Sequence, residues 1–102
     1  MIYDMAIADT PNLNQHRQLR AFCNAAQTGS ISKAAKRLKL SQPSVSLQIQ
    51  ALEKELDTLL FERCGPKIRL TPAGELLLEM AQPLVDGFSR LADSFAARLG
   101  NV

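Results

Sequence analysis

Leu19, Phe22, Cys23 and Ala26 recur at i, i+3, i+4 and i+7, a spacing that gathers side chains on one face of an α-helix. Asn12 or Asn14 can cap this helix, and Gly29 can end it in the left-handed conformation. Residues 1–11 show no such period, end at Thr10-Pro11, and read as a mobile tail. After Gly29, Ser30 or Ser32 caps a short second helix through residues 33–38, whose Ala34-Ala35 pair lets another helix approach closely. Lys39-Leu40 is a tight connection. Ser41 then caps a third helix from about Gln42 to Leu56, with Pro43 in the first turn, where a missing N–H costs nothing. Val45, Ile49, Leu52 and Leu56 form its inward stripe. Two helices joined by so short a turn, the second opening on small polar residues, form a helix-turn-helix pattern.

Two short extended runs follow, residues 59–63 and 67–70, on either side of Cys64-Gly65-Pro66. Ile68 and Leu70 alternate with Lys67 and Arg69, so one side is apolar and the other basic, as in a β-hairpin wing. Thr71 caps a last helix that has Pro72 at its first position and Glu75 in its first turn. Along it, Leu77, Leu84 and Leu91 repeat every seven residues, interleaved with Ala81, Phe88 and Phe95, a heptad seam about three repeats long. Pro83 falls inside this helix, where it can kink it or set its register. A helix of about 26 residues is roughly 39 Å long, more than one small core can cover. A partner helix is therefore favoured over packing on the first helix, and the six seam residues are expected to form a homodimer interface.

The fold class expected is mainly α: a winged helix-turn-helix, with a three-helix core and a two-stranded β-hairpin wing, followed by a long C-terminal linker or dimerisation helix. It divides into a tail at 1–11, the winged helix-turn-helix at 12–71, the helix at 72–99 and the start of a hinge at 100–102.

Charge sharpens this picture. The net charge is +2, yet residues 17–69 hold ten Lys and Arg against four Asp and Glu, a surplus of six, and no acidic residue occurs between Thr10 and Leu52. A long one-sign stretch favours a polyanion as partner. With 102 residues, 46% hydrophobic and 22% charged, the chain has the size and composition of one globular domain. No apolar run approaches the roughly 18 residues of a membrane span, and the first eleven residues carry Asp4 and Asp9 and no cation, so no secretory signal is read there. The expectation is a cytoplasmic protein with no membrane partner.

One histidine, His16, and two distant cysteines, Cys23 and Cys64, do not make up the usual ligand set of a zinc site. Cys23 belongs to the core stripe. Cys64, in the Gly-Pro loop beside Arg63, leaves a minor redox alternative open. Ser44 and Ser46 have no base nearby in sequence, and no glycine-rich phosphate loop or paired-carboxylate site stands out. No enzyme activity, metal or cofactor is expected.

Several strings resemble the DNA-binding domain of LysR-type bacterial transcriptional regulators. They are Gly29-Ser30-Ile31-Ser32-Lys33-Ala34-Ala35-Lys36-Arg37-Leu38, Ser41-Gln42-Pro43-Ser44-Val45-Ser46 with Gln48-Ile49 and Ala51-Leu52-Glu53, Leu60-Phe61-Glu62-Arg63, and Leu70-Thr71-Pro72-Ala73-Gly74-Glu75. They come in the family's order and spacing and run from Leu13 to about Leu99. The resemblance implies a recognition helix in the major groove, a homodimer on a palindromic operator (or a tetramer in a full-length protein), and a C-terminal effector-binding domain beyond this chain, which would carry any small-molecule effector. The chain is therefore read as a DNA-binding fragment.

Residues at the start of a recognition helix reach deepest into the groove. Gln42 can pair with adenine bidentately, Ser46 lies one turn on, and Pro43 and Leu47 can meet thymine methyls; the resemblance points to the same positions. The family often has basic residues where this chain has Leu47 and Gln50, so readout here leans on Gln42, methyl contacts and DNA shape. Ser32, Lys33, Ser44, Arg63 and Lys67 are the candidates for phosphate, with Arg63 foremost. Lys36, Arg37 and Lys39 add field. The alternative is a winged-helix protein–protein interaction module, in which the coiled-coil helix is the function and the basic face is incidental.

Overall fold

The junctions between elements are each built by a residue suited to the place. The structure, a computed structural model, describes residues 13–100; the tail at 1–11, Asn12 and residues 101–102 lie outside the described residues. Helix α1 spans Leu13–Thr28, α2 Ile31–Leu38, α3 Gln42–Leu56, strand β1 Phe61–Cys64, β2 Lys67–Leu70 and α4 Pro72–Gly100. Gly29 closes α1 at φ 70°, donating its N–H to the Ala25 carbonyl at 2.8 Å. Ser30 is the cap of α2: its hydroxyl accepts the Lys33 N–H at 3.2 Å, so the helix begins before Ser32. Ser41 does the same for α3 through the Ser44 N–H, also at 3.2 Å. Lys39 and Asp57 end α2 and α3 in the left-handed conformation that glycine usually takes.

Helix α1 is the axis of the domain and packs against α2, α3 and α4. Phe22, Cys23, Ala21 and Ala25 are buried along it, a wider stripe than the periodicity gives, while Leu19 and Ala26 are half-buried at its margins. Ala34 and Ala35 of α2 and Val45, Ile49 and Leu52 of α3 close the core. Leu56 does not join them: it is 46% exposed, because α3 ends there and Asp57 turns the chain away. The Phe22 ring meets Phe61 at 5.4 Å, which ties α1 to the base of the hairpin.

The two strands pair antiparallel, Phe61 with Leu70 through Cys64 with Lys67. Gly65 turns the hairpin at φ 65°, the sign that a two-residue turn of the II′ type needs at its first position. The wing is fastened at three places. One Glu53 carboxylate oxygen on α3 accepts the Leu60 and Phe61 N–H groups at 2.8 and 3.3 Å. The Ile68 N–H reaches the Gly29 carbonyl at 3.4 Å. Thr71 donates its hydroxyl proton to the Leu59 carbonyl at 2.7 Å and accepts the Gly74 N–H at 3.0 Å, so it both caps α4 and locks the hairpin's base.

Only the first half of α4 rests on the core, through Leu77, Leu78, Ala81 and Val85. Ala81, at 2% exposure, is covered by its own chain. Leu77 and Ala81 thus leave the expected seam, and Leu76 and Met80, both exposed, take up its line toward Leu84, Leu91 and Phe95. The reason is angular: at 100° per residue, positions 76, 80, 84, 91 and 95 share one flank, and 77, 81 and 85 share the adjacent one. Every residue from 88 to 100 is exposed. Helix α4 runs through Pro83 as one element of 29 residues, about 43 Å long.

The two thiols differ sharply. Burial, with a smaller contribution from the Asp86 charge, pushes the Cys23 thiol up to about 11, whereas Cys64 is exposed on the wing. Near pH 8 a thiol reagent should modify Cys64 within its ordinary reaction time and Cys23 only as fast as the domain opens. Equal labelling rates in a stopped time course would contradict this packing.

Candidate nucleic-acid interface

Helix α3 turns one edge to solvent. Gln42, Pro43, Leu47, Gln50 and Lys54 are exposed, and Leu47, at 64% exposure, lies well off the buried stripe of Val45, Ile49 and Leu52. Pro43 and Leu47 are one helical turn apart, so they share a face; Gln42 stands at the first position of the helix, and Ser46 is half-buried beside it. Leu47 thus adds apolar surface to this otherwise polar edge.

Grooves run along both flanks of this edge. On one flank Gln50 and Glu53 of α3 face Arg63 and Ile68 of the wing. On the other, Ser44 and Gln48 face Arg17 and Arg20 of α1, across a floor that includes Leu38 and Leu40. A third cleft lies between the start of α2 and the wing tip, lined by Ser30, Lys33, Pro66 and Lys67. The structure therefore brings Lys33 and Lys67 together, although 34 positions separate them in sequence. Arg63 lies in a separate groove next to α3, and Ser44 belongs to the flank of α1. Ser32 is half-buried in the first turn of α2.

Partnering sorts the cations further. On the wing, Arg69 pairs with Glu62 at 3.5 Å across the strands; both are well exposed, so the pair contributes little stability. Among the described residues, no carboxylate pairs with Arg63, Lys67 or Lys33. Arg37 is engaged otherwise: its guanidinium donates to Asn24 at 3.2 Å and Gln27 at 2.9 Å. Gln27 passes this on to Gln82 at 2.7 Å, and Gln82 to Asp86 at 2.9 Å, so the chain of side chains joins α2 to α4 through α1. Ser41 donates to the Ser44 hydroxyl at 3.1 Å, which holds Ser44 at the helix cap, on the wall of the groove.

No group of three His, Cys, Asp or Glu side chains that could hold a metal converges among the described residues. His16 packs against Phe88 at a tilt, with ring centroids 4.0 Å apart, and burial, helped by the Arg20 charge, lowers its pKa. No helix among the described residues is long and apolar enough to cross a membrane. Arg17 and Arg20 are groove residues that sequence reasoning passed over, because their place beside α3 depends on how α1 crosses it.

Known proteins share this arrangement. The family described as "Bacterial regulatory helix-turn-helix protein, lysR family" matches residues 16–75. The HTH-type transcriptional regulator TfdS of Cupriavidus pinatubonensis is 45% identical over 89 residues, 86% of this chain and 30% of that protein. ClcR of Pseudomonas putida is 45% identical over 86 residues, 82% of this chain and 29% of that protein. The chain thus spans under a third of the length of these relatives. Among solved structures, the CbnR_DBD–DNA complex aligns with a TM-score of 0.70 at 40% identity, covering 82% of this chain and 97% of that one. The BenM_DBD complex with benA site 1 DNA aligns at 0.71 and 34% identity, covering 83% and 94%.

Proposed function

The chain belongs to the lysR family of bacterial regulatory helix-turn-helix proteins, and from that premise we propose that it is the sequence-specific double-stranded DNA-binding domain of a transcriptional regulator. Helix α3 enters the major groove and reads bases with Gln42, Pro43, Ser46 and Leu47. Lys33 and Lys67 in one cleft, Arg63 on the wing, and Ser32 and Ser44 at helix starts take phosphates. Two copies dimerise through α4, at Leu84, Phe88, Leu91 and Phe95, and bind a palindromic operator whose symmetry matches their own. In the whole protein a further domain would couple an effector to this binding. The observation that carries the reading is the bare edge of α3 between cationic grooves: a scaffold helix has no need to leave Gln42, Pro43 and Leu47 uncovered.

Gln42 gives the most direct test. At the first position of α3 its amide can match adenine N6 and N7, a pairing worth about 1–3 kcal/mol against a wrong base. Gln42→Ala should lose specific affinity by roughly that amount per half-site and relax preference at one position in each. Affinity for random DNA should barely change, since no charge is lost, and the fold should hold, since Gln42 is exposed. Binding of native chain and variant to every single-base variant of a selected operator decides it. An unchanged preference profile would show that Gln42 reads no base and at most touches phosphate.

A further inference from the structure

We infer that Arg17 and Arg20 of α1 form a second phosphate-binding flank, which grips the DNA strand on the side of α3 away from the wing. The inference rests on the DNA-binding reading above and adds to it a site on a helix outside the helix-turn-helix and the wing.

Arg17 and Arg20 are three residues apart, so both side chains project from one side of α1. Both are exposed, and both line the groove of about 490 Å³ shared with Leu38, Leu40, Ser44 and Gln48. Ser44 and Gln48 are one turn apart on α3 and border its exposed edge at Pro43 and Leu47. Gln50 and Glu53 border the same edge from the opposite flank, where Arg63 stands. The edge proposed to read bases is therefore bracketed by cations, from the wing on one flank and from α1 on the other.

A helix in the major groove, about 12 Å wide, has one sugar-phosphate strand on either side of it. The wing accounts for one strand. Arg17 and Arg20 stand where the other must pass. Among the described residues no carboxylate pairs with either side chain, and the sequence holds no acidic residue between Thr10 and Leu52 to do so. The planar guanidinium fork suits bidentate contact with phosphate oxygens, and the Ser44 hydroxyl on the same groove wall adds a donor.

The test is a salt series with the whole chain and a random-sequence duplex. Each phosphate neutralised contributes about 0.9 to the slope of log affinity against log salt. The Arg17→Gln/Arg20→Gln variant should flatten that slope by about two units per bound chain, and the Arg17→Lys/Arg20→Lys variant should keep most of it. Each single Gln variant should remove about one unit, which covers the case of a double variant that melts early. A selected operator should keep its base preferences in all of them. A native slope in the double Gln variant overturns the inference, as does a changed preference profile, which would mean base contact. A native chain that fails to bind any duplex overturns the DNA-binding reading itself, a result separate from either of these.

Discussion

Leu84→Glu combined with Phe95→Glu should leave the protein monomeric at micromolar concentrations where the dimer proposed for the native chain should form. Leu84 and Phe95 are 67% and 65% exposed and lie on one flank of α4 with Leu76, Met80 and Leu91. Burying a Leu or Phe side chain is worth about 1.5–3 kcal/mol. In a two-fold symmetric interface the double substitution strikes four positions, so at least about 6 kcal/mol is lost. A micromolar dimer rests on about 8 kcal/mol, and buried carboxylates add a further penalty. The isolated fold should be indifferent, because neither residue belongs to the buried core. Light scattering on variant and native chain, with thermal melts alongside, gives the answer; a variant that remains dimeric would rule this flank out as the interface. Phe88 is a poorer probe, since its ring already packs on His16 and its loss would disturb the single chain.

Gly74→Ala should be as costly to the fold as the first change is to assembly. A Cβ at Gly74 would overlap the Leu60 backbone carbonyl and come within 2.9 Å of Leu70 Cδ2. The carbonyl cannot step aside, because Leu60 is held through its N–H by Glu53 and through its oxygen by the Thr71 N–H at 3.0 Å. Overpacking against backbone costs about 3 kcal/mol or more, which for a domain of this size lowers Tm by roughly 12 °C or more. Gly87, in open space on the same helix, is the control. Gly87→Ala in the monomeric background should gain about 0.5–1 kcal/mol from helix propensity. Equal melting temperatures for the two alanine variants would show that α4 does not press on the hairpin's base as described.

Much of this molecule can be read along the chain, for reasons that are local. As caps, Gly29, Ser41 with Pro43, and Thr71 with Pro72 act on backbone groups within four residues of themselves, so their capping signals survive in the sequence alone. The wing is equally legible, since the alternation of Lys67, Ile68, Arg69 and Leu70 and the Gly65-Pro66 turn are properties of six consecutive residues. What fails is whatever depends on how helices cross. Heptad counting identifies α4 as amphipathic but cannot say which of two neighbouring flanks its own core takes. It therefore places Leu77 and Ala81 in the free seam and omits Leu76 and Met80. Leu56 has the right period and the wrong place, one turn beyond the last core layer. The meeting of Lys33 with Lys67, and of Arg17 and Arg20 with Ser44, spans intervals that no motif encodes. The same holds for the side-chain chain from Arg37 to Asp86, whose members are ordinary polar residues until α1, α2 and α4 are assembled.

The three fastenings of the hairpin make the domain behave as a caliper with fixed jaws. Glu53 sits on α3 and holds the start of β1, while Thr71 and the Gly29 carbonyl hold the hairpin from behind. The distance from reading edge to wing tip is then set by the protein and can adjust little to the site. On the proposed DNA-binding reading, a site whose backbone lies off that gauge must be bent to fit, and the cost falls on the DNA. Sites with pliant steps beneath the wing would be bound more tightly than stiff ones with identical contacted bases, a preference written in mechanics at positions that no side chain touches.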